Sequence, residues 1–168
     1  MSLSPPVSSA RSAILPGQRS ASAASASGVG RNAIVISFSV SQRISSAGDT
    51  RVSLAAEVAS FLEERLAFAV AQGIPENRIC LDPGIGFGKT VAQNLELVRR
   101  LDVLLALGRP VLVGFSRKSS LRKLTGSDDL LGASVAAAVA AFERGAAILR
   151  VHDVKPHVDA LTVAGAIA

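Results

Sequence analysis

Cysteine, histidine and the large aromatic residues are scarce in this sequence. Its 168 residues include one cysteine and two histidines, and neither tryptophan nor tyrosine. A single cysteine excludes an intramolecular disulfide and suits a reducing compartment, so we expect a cytoplasmic protein. Two histidines and one cysteine are too few for a clustered zinc site. Cys80 lies in an apolar run, and we interpret it as a core thiol rather than a nucleophile.

Long apolar runs and a basic patch are also missing. No uninterrupted apolar stretch approaches the roughly 20 residues that a membrane helix needs, so we expect no membrane span. The net charge of +5 comes mostly from residues 1–51, which hold five arginines and one acidic residue, whereas the other 13 basic residues are balanced by 12 acidic ones. Because no aromatic residues alternate with the basic ones, the sequence does not indicate a nucleic-acid partner.

The chain divides by composition. Residues 1–33 are rich in Ser, Ala, Gly and Pro, contain three arginines and no acidic residue, and cannot bury enough apolar surface to fold alone. An organellar transit peptide shares this composition. We interpret residues 1–51 as a disordered or unrelated leader and residues 52–168 as one folded domain. Within the leader, Ala33–Val40 has a weak strand pattern.

The most informative stretch is Leu81–Thr90. It follows a short apolar run with the length of a buried strand, which places Asp82 at the carboxyl end of that strand. The loop Gly84-Ile85-Gly86-Phe87-Gly88 allows left-handed dihedral angles and lets the backbone approach a ligand. Thr90 and Gln93 have the spacing of a capping box, so a helix is predicted directly after the loop. In α/β proteins, this end of a strand is where ligands bind.

Two familiar loop motifs are excluded by spacing. A Walker A loop would need glycine where the chain has Pro83. The dinucleotide-binding fingerprint would need one more residue before its last glycine. A simpler alternative remains open, in which the loop is a tight strand-to-helix turn and Asp82 only caps it.

The same pattern of strand, polar loop and helix recurs along the chain. Apolar residues from Val52 to Ala69 recur at helical spacing. The remaining predicted elements are a helix from Val91 to about Leu107, a strand Pro110–Gly114, a helix Leu131–Phe142, a strand Ala147–Val151 and a closing helix with Pro156 at its first position.

Polar residues follow each predicted strand. Asp82, Ser116 and His152 begin three clusters that are 34 and 36 residues apart, which is one βα unit each. Two cations and two hydroxyls lie in Phe115–Ser119, although a solvated loop is the simpler reading of any one of them. Arg150 precedes His152 by two residues, so both side chains are expected on one face of the strand. Such units predict an α/β fold, a partial (β/α)8 TIM barrel that contains only its carboxyl-terminal units, although a doubly wound sheet shares part of the pattern.

With these clusters, the chain resembles dihydropteroate synthase. Three segments look like motifs of that family, in its order and spacing: Asp82-Pro83-Gly84-Ile85-Gly86-Phe87-Gly88-Lys89, Gly114-Phe115-Ser116-Arg117-Lys118-Ser119 and Arg150-Val151-His152-Asp153-Val154. The match runs from about Val52 to the end. The resemblance implies a barrel enzyme, a transferase of folate biosynthesis that joins 6-hydroxymethyl-7,8-dihydropterin pyrophosphate to p-aminobenzoate with Mg²⁺ assistance and releases pyrophosphate.

The resemblance also implies roles for site residues. Asp82 would accept hydrogen bonds from the amino-pyrimidine edge of the pterin, and Lys118 would face the pterin's oxo group and ring nitrogen. Arg150 and His152 would hold the departing pyrophosphate, and Lys118, Arg150 and His152 are the expected catalytic residues.

Other residues of the motifs have lesser expected roles. Phe87 and Ser116 would border the p-aminobenzoate, whereas Lys89 and Arg117 are expected to be supports. No residue of this chain is expected to bind the metal directly.

The sequence departs from the family on its amino-terminal side. Family members carry further site residues on their early strands, among them an Asn that binds magnesium and pyrophosphate, and residues 1–51 show no match to these. We therefore expect the carboxyl-terminal part of the enzyme, which is inactive alone and tends to form a homo-oligomer through unpaired sheet edges. Two alternatives stay open: a pterin-binding methyltransferase domain, against which the Arg150 and His152 pair argues, and a non-catalytic fragment or partner subunit.

Overall fold

Four parallel strands alternate with helices in the computed structural model, which describes residues 34–37 and 53–168. The strands are β1 (Ile34–Ser37), β2 (Ile79–Asp82), β3 (Leu112–Val113) and β4 (Ile148–Leu149). The helices are α1 (Leu54–Ala71), α2 (Val91–Arg99), α3 (Leu101–Leu105), α4 (Ser119–Thr125), α5 (Leu131–Glu143) and α6 (Val154–Ile167). None of the helices in these residues is both long and apolar enough to cross a membrane.

The strands lie side by side in the order in which they occur along the chain. β1 pairs with β2 from Ile34–Ile79 to Ser37–Asp82, and β3 pairs with β4. A bridge between Leu81 and Val111 joins the two pairs in the same parallel sense. Because the order never reverses, the topology is that of consecutive units of a (β/α)8 barrel rather than a doubly wound sheet. The expectation of a partial barrel is confirmed.

β1 lies within residues 1–51, the predicted leader. The predicted strand Ala33–Val40 corresponds to Ile34–Ser37, and its other positions lie outside the described residues. Its register brings Ser37 beside Asp82, so β1 contributes to the same strand ends as the later units. The sheet therefore extends to the amino-terminal side of the predicted domain boundary at residue 52.

α1 covers the core with one face, as its sequence pattern predicts. Ser53 caps it by accepting a hydrogen bond from the backbone NH of Ala56 at 3.3 Å. Its buried residues recur at helical spacing: Leu54, Ala55, Val58, Ala59, Leu62 and Ala69. The helix ends where Gly73 adopts a φ of +87°, a conformation that glycine reaches without strain. The predicted helix is confirmed over its described part.

The single helix predicted from Val91 to Leu107 is wrong, because the chain forms two helices there. Arg100 separates α2 from α3 with φ −108° and ψ 35°. The interruption is one residue long, since the backbone NH of Arg100 still donates to the carbonyl of Glu96 at 2.8 Å. Buried Leu97, Leu101 and Leu104 keep an i, i+4, i+7 spacing, so both helices cover the same core.

The third and fourth strands are shorter than predicted. Only two residues in each form regular ladder pairs, although hydrogen bonds continue to Arg150, whose NH donates to the carbonyl of Val113 at 3.0 Å. β4 is half-buried rather than buried. Among the described residues no strand pairs with its outer edge, which explains this exposure.

The last two helices largely follow the sequence pattern. α5 ends before Gly145, whose φ of +94° confirms the predicted stop. α6 begins at Val154, so Pro156 is the third helical residue and not the first. A proline there is still tolerated, because backbone NH groups in the first turn have no partner within the helix.

Candidate functional site

An open pocket of about 530 Å³ lies at the carboxyl ends of the four strands. Its lining consists of residues at or after these strand ends: Ser37, Phe87, Gly114, Ser116, Lys118, Arg150, Val151 and His152. Five of the six predicted substrate-binding residues are among them, and the sixth, Asp82, contacts one of them. The structure thus brings together side chains from three clusters that are 34 and 36 residues apart.

Asp82 is the most buried charged group of the site, with 1% of its surface exposed. One carboxylate oxygen accepts a hydrogen bond from the backbone NH of Gly84 at 2.8 Å. The other accepts one from the guanidinium of Arg150 at 3.0 Å. The first contact is the turn cap that the simpler alternative proposed, and the second joins β2 to the end of β4. Asp82 therefore serves as a cap and as an ion-pair partner.

The glycine loop is held in place by Asn94, a residue that the sequence analysis did not single out. Asn94 is fully buried on α2, and its side-chain oxygen accepts from the backbone NH of Gly86 at 2.8 Å. Its amide donates to Ser120 Oγ at 2.8 Å and to the carbonyl of Lys89 at 3.3 Å. In the sequence, Asn94 could have been identified as a polar residue on the apolar face of a predicted helix.

The loop brings an aromatic ring and an ammonium group together. Lys118 Nζ lies 4.4 Å from the centre of the Phe87 ring, a cation–π distance. Gly86 makes this contact feasible, since a Cβ there would lie 2.8 Å from Cδ of Lys118. Phe87 remains 46% exposed, so the ring also presents surface to the pocket.

Ser116 and His152 form a second polar pair. Ser116 Oγ lies 3.1 Å from Nδ1 of His152 and 3.3 Å from the backbone NH of that residue. Ser116 is buried, whereas the imidazole is exposed to the pocket. The pair gives Nδ1 of His152 a partner, and His152 also lines the pocket.

The two residues predicted as supports lie outside the pocket lining. Lys89 is mostly buried and donates from Nζ to the carbonyl of Gly84 at 2.8 Å. Burial lowers the pKa of its ammonium group to about 8, although nearby Asp82 acts in the opposite direction. Lys89 therefore stabilises the glycine loop through its hydrogen bond to Gly84.

Arg117 turns toward α6 instead. Its Nε donates to Asp153 Oδ2 at 2.9 Å, and its backbone NH donates to Ser134 Oγ at 2.9 Å. The hydrogen bond from Arg117 lowers the pKa of Asp153 below its usual value. Arg117 has a φ of +54°, which is uncommon for a residue other than glycine.

Among residues 34–37 and 53–168, the lining contains two cations, Lys118 and Arg150, and no carboxylate. The two cations favour an anionic group in the pocket. The Phe87 ring, which also lines the pocket, offers a flat apolar surface to a ligand. Buried Asp82 lies behind Arg150 and can accept hydrogen bonds only from a group that enters deeply. The chemistry suits a flat heterocycle with N–H donors that carries a negatively charged substituent.

The described residues do not form a magnesium site built from protein ligands alone. Within residues 34–37 and 53–168, no group of three or more His, Cys, Asp or Glu side chains could hold a metal ion. Both carboxylate oxygens of Asp82 already accept hydrogen bonds from protein groups. Mg²⁺ prefers carboxylate and phosphate oxygens as ligands. The roles of the residues described above do not depend on a metal.

Comparison with known proteins identifies the family. A family model described as pterin binding enzyme matches residues 17–152. The chain belongs to this family. The matched range contains all three polar clusters except the residues after His152. It also begins upstream of residue 52, so β1 and part of the predicted leader lie within the family match.

Several relatives of this chain are named dihydropteroate synthase. The enzyme of Neisseria meningitidis serogroup C is 52% identical over 109 residues, which cover 62% of this chain and 38% of that relative. The Xanthomonas albilineans enzyme in complex with 7,8-dihydropteroate has a TM-score of 0.73 and 42% identity, over 80% of this chain and 51% of that one. Its structure with 4-aminobenzoic acid has a TM-score of 0.72 and 43% identity, over 80% and 49%. The chain thus spans about half the length of these solved structures.

Proposed function

We propose that this chain carries the pterin- and pyrophosphate-binding part of a dihydropteroate synthase site. The observation that supports it most is the convergence of Asp82, Lys118, Arg150 and His152 at the ends of three consecutive strands. The family match and the ligands named for the Xanthomonas enzyme agree with this substrate class.

In the proposed reaction, the amine nitrogen of p-aminobenzoate attacks the methylene carbon that joins the pterin to its pyrophosphate. The carbon–nitrogen bond forms, the carbon–oxygen bond breaks, and the amine loses a proton. Negative charge grows on the departing pyrophosphate, where Arg150 and His152 can stabilise it. The Phe87 ring and Ser116 would border the aminobenzoate, and Lys118 would face the pterin.

Several further features stay proposals. Magnesium assistance rests on the family resemblance, a cytoplasmic location rests on the cysteine content, and self-association rests on the outer edges of β1 and β4. We infer no catalytic role for Lys89 or Arg117, whose side chains contact the loop and α6.

Calorimetric titration with three ligands tests the proposal: the dihydropterin pyrophosphate, the same pterin without phosphate, and inorganic pyrophosphate. We expect the first to bind most tightly and each of the others to compete with it. Replacing His152 with alanine should weaken pyrophosphate binding about tenfold, the scale of one lost hydrogen bond to a charged group. The control is Lys155→Ala, which removes an exposed cation on α6 that pairs with Asp159 outside the lining.

The outcomes separate the alternatives. Equal affinity for the pterin with and without pyrophosphate would favour a pterin-binding methyltransferase domain. If none of the three ligands binds, the result would favour the alternative that the chain is a non-catalytic fragment. A loss of pyrophosphate affinity in Lys155→Ala as large as in His152→Ala would show that general charge, and not the pocket, holds the anion.

A further inference from the structure

The contact between Asp82 and Arg150 occupies the group that a pterin would need. Asp82 has 1% of its surface exposed, and its two oxygens accept from the NH of Gly84 and from the guanidinium of Arg150. Arg150 lines the pocket whereas Asp82 does not, so a ligand with N–H donors that enters from the pocket meets the guanidinium before the carboxylate. Binding at Asp82 therefore requires the arginine to leave.

The guanidinium of Arg150 resembles the part of a pterin that is expected to bind Asp82. The amino-pyrimidine edge of a pterin contains a carbon bonded to three nitrogens, and so does the guanidinium of arginine. Both present parallel N–H donors to a carboxylate, which is a geometry that lysine, water and alcohols lack. Arg150 donates one such N–H group, from Nη2, to Oδ2 of Asp82.

The surroundings of Arg150 permit a second position. Its side chain is 53% exposed, although its partner is buried. It crosses Gly114, where a Cβ would lie 3.0 Å from Nη2 and 3.1 Å from Nε, so any larger residue would crowd the guanidinium. Arg150 lines the pocket together with Lys118 and His152. A displaced guanidinium would remain among these groups, where an anion is expected.

We propose that Arg150 is a specificity-determining residue that occupies Asp82 in the free chain and is displaced only by a ligand with a guanidine-like edge. The displaced guanidinium then binds the anionic group of the same substrate. This inference rests on the proposed function, because it assigns Asp82 to a pterin. It predicts that Arg150 opposes binding of the pterin alone and supports binding of pyrophosphate.

The test measures two ligands on three proteins at pH 8. The ligands are 6-hydroxymethylpterin without phosphate and inorganic pyrophosphate. The proteins are the wild type, Arg150→Gln and the control Arg144→Gln, which removes a guanidinium that donates to the carbonyl of Ala140 on α5, outside the pocket lining. We expect Arg150→Gln to bind the pterin about fivefold more tightly and pyrophosphate about tenfold more weakly, with Arg144→Gln unchanged for both. A partly unfolded variant would weaken both, so the opposite signs are diagnostic.

A measurement on the wild type complements the variants. The NMR signal of the Arg150 Nε–H group, assigned by its loss in Arg150→Gln, should move toward the position of a solvent-exposed arginine when pterin is added. Unchanged or weaker pterin binding in Arg150→Gln, or an Arg150 signal that pterin does not move, overturns the inference while the proposed function stands. Failure of the wild type and Arg150→Gln to bind either ligand overturns the proposed function as well.

Discussion

Lys89 is a buried cation whose charge opposes folding. Its pKa falls from 10.5 to about 8 in the folded chain, mainly because burial disfavours the ammonium form. Between these two pH values, the unfolded chain holds a proton that the folded chain has lost, so the free energy of unfolding rises with pH. The cost of burying the charge is fully present below pH 8 and is absent above pH 10.5.

Replacing Lys89 with methionine removes this titration while it keeps a side chain of similar length. The difference in unfolding free energy between the wild type and Lys89→Met should therefore shift in favour of the wild type as pH rises from 8 to 10.5. Urea unfolding at several pH values measures it, and other titrating groups cancel because both proteins contain them. A difference that stays constant over this range would show that the Lys89 ammonium carries no burial cost.

Two constraints favour glycine at position 86, the backbone conformation and the space beside Lys118, and two variants can separate their effects. Its φ is +82°, and a Cβ would lie 2.8 Å from Cδ of Lys118. Gly73 has a similar φ of +87° but nothing within 4 Å of its hypothetical Cβ, so Gly73→Ala is a matched control for backbone strain alone. Both substitutions should lower the free energy of unfolding by about 1 kcal/mol.

Only Gly86→Ala should also displace Lys118 from the Phe87 ring and weaken binding of the pterin pyrophosphate. Unfolding curves and calorimetric titration of the two variants measure these effects. Equal ligand affinity in Gly86→Ala and Gly73→Ala would mean that the position of Lys118 does not depend on the loop.

At the scale of elements, Asn94 connects three parts of the molecule. It lies on α2 and bonds the glycine loop after β2 and Ser120 on α4, which follows β3. Asn94→Ala would leave buried partners without hydrogen bonds and should cost about 2–4 kcal/mol of stability. Ser120→Ala removes only one of these partners and should cost about 1 kcal/mol. Thermal or urea unfolding measures both variants, and equal small losses would show that Asn94 does not organise the loop.

The elements show what the sequence could and could not predict. The capping box at Thr90 and Gln93 is present with both of its hydrogen bonds, because it depends on residues three positions apart. The break at Arg100 left no comparable signal, since Leu97, Leu101 and Leu104 keep helical spacing across it. The short length of β3 and β4 depends on neighbouring strands, which a local pattern does not contain.

The same distinction holds for site residues. The positions of Ser116, Lys118 and His152 after strands placed them at one end of the sheet. The pairing of Asp82 with Arg150 joins residues 68 positions apart and depends on a side-chain conformation, so neither spacing nor composition could predict it. Asn94 was missed because a single polar residue in an amphipathic helix is not distinctive.

At the scale of the whole molecule, four consecutive strands present their carboxyl ends to one pocket. This arrangement positions a flat ring surface, a buried carboxylate and two cations within one site. The solved structures that it matches are about twice as long. The proposed binding of a pterin pyrophosphate would use these groups, and titration of single variants measures the contribution of each.

The most direct test of this account is the affinity of the chain for 6-hydroxymethyl-7,8-dihydropterin pyrophosphate before and after Asp82→Asn. Titration calorimetry should show weaker binding by about 2 kcal/mol, or about 30-fold, because an amide cannot accept the paired N–H donors as a carboxylate does. Asp102→Asn is the control, since it removes an exposed carboxylate on α3 that pairs with Arg100 outside the pocket lining. Equal affinity of the wild type and Asp82→Asn would contradict the account, because Asp82 would then not be the carboxylate that binds the pterin.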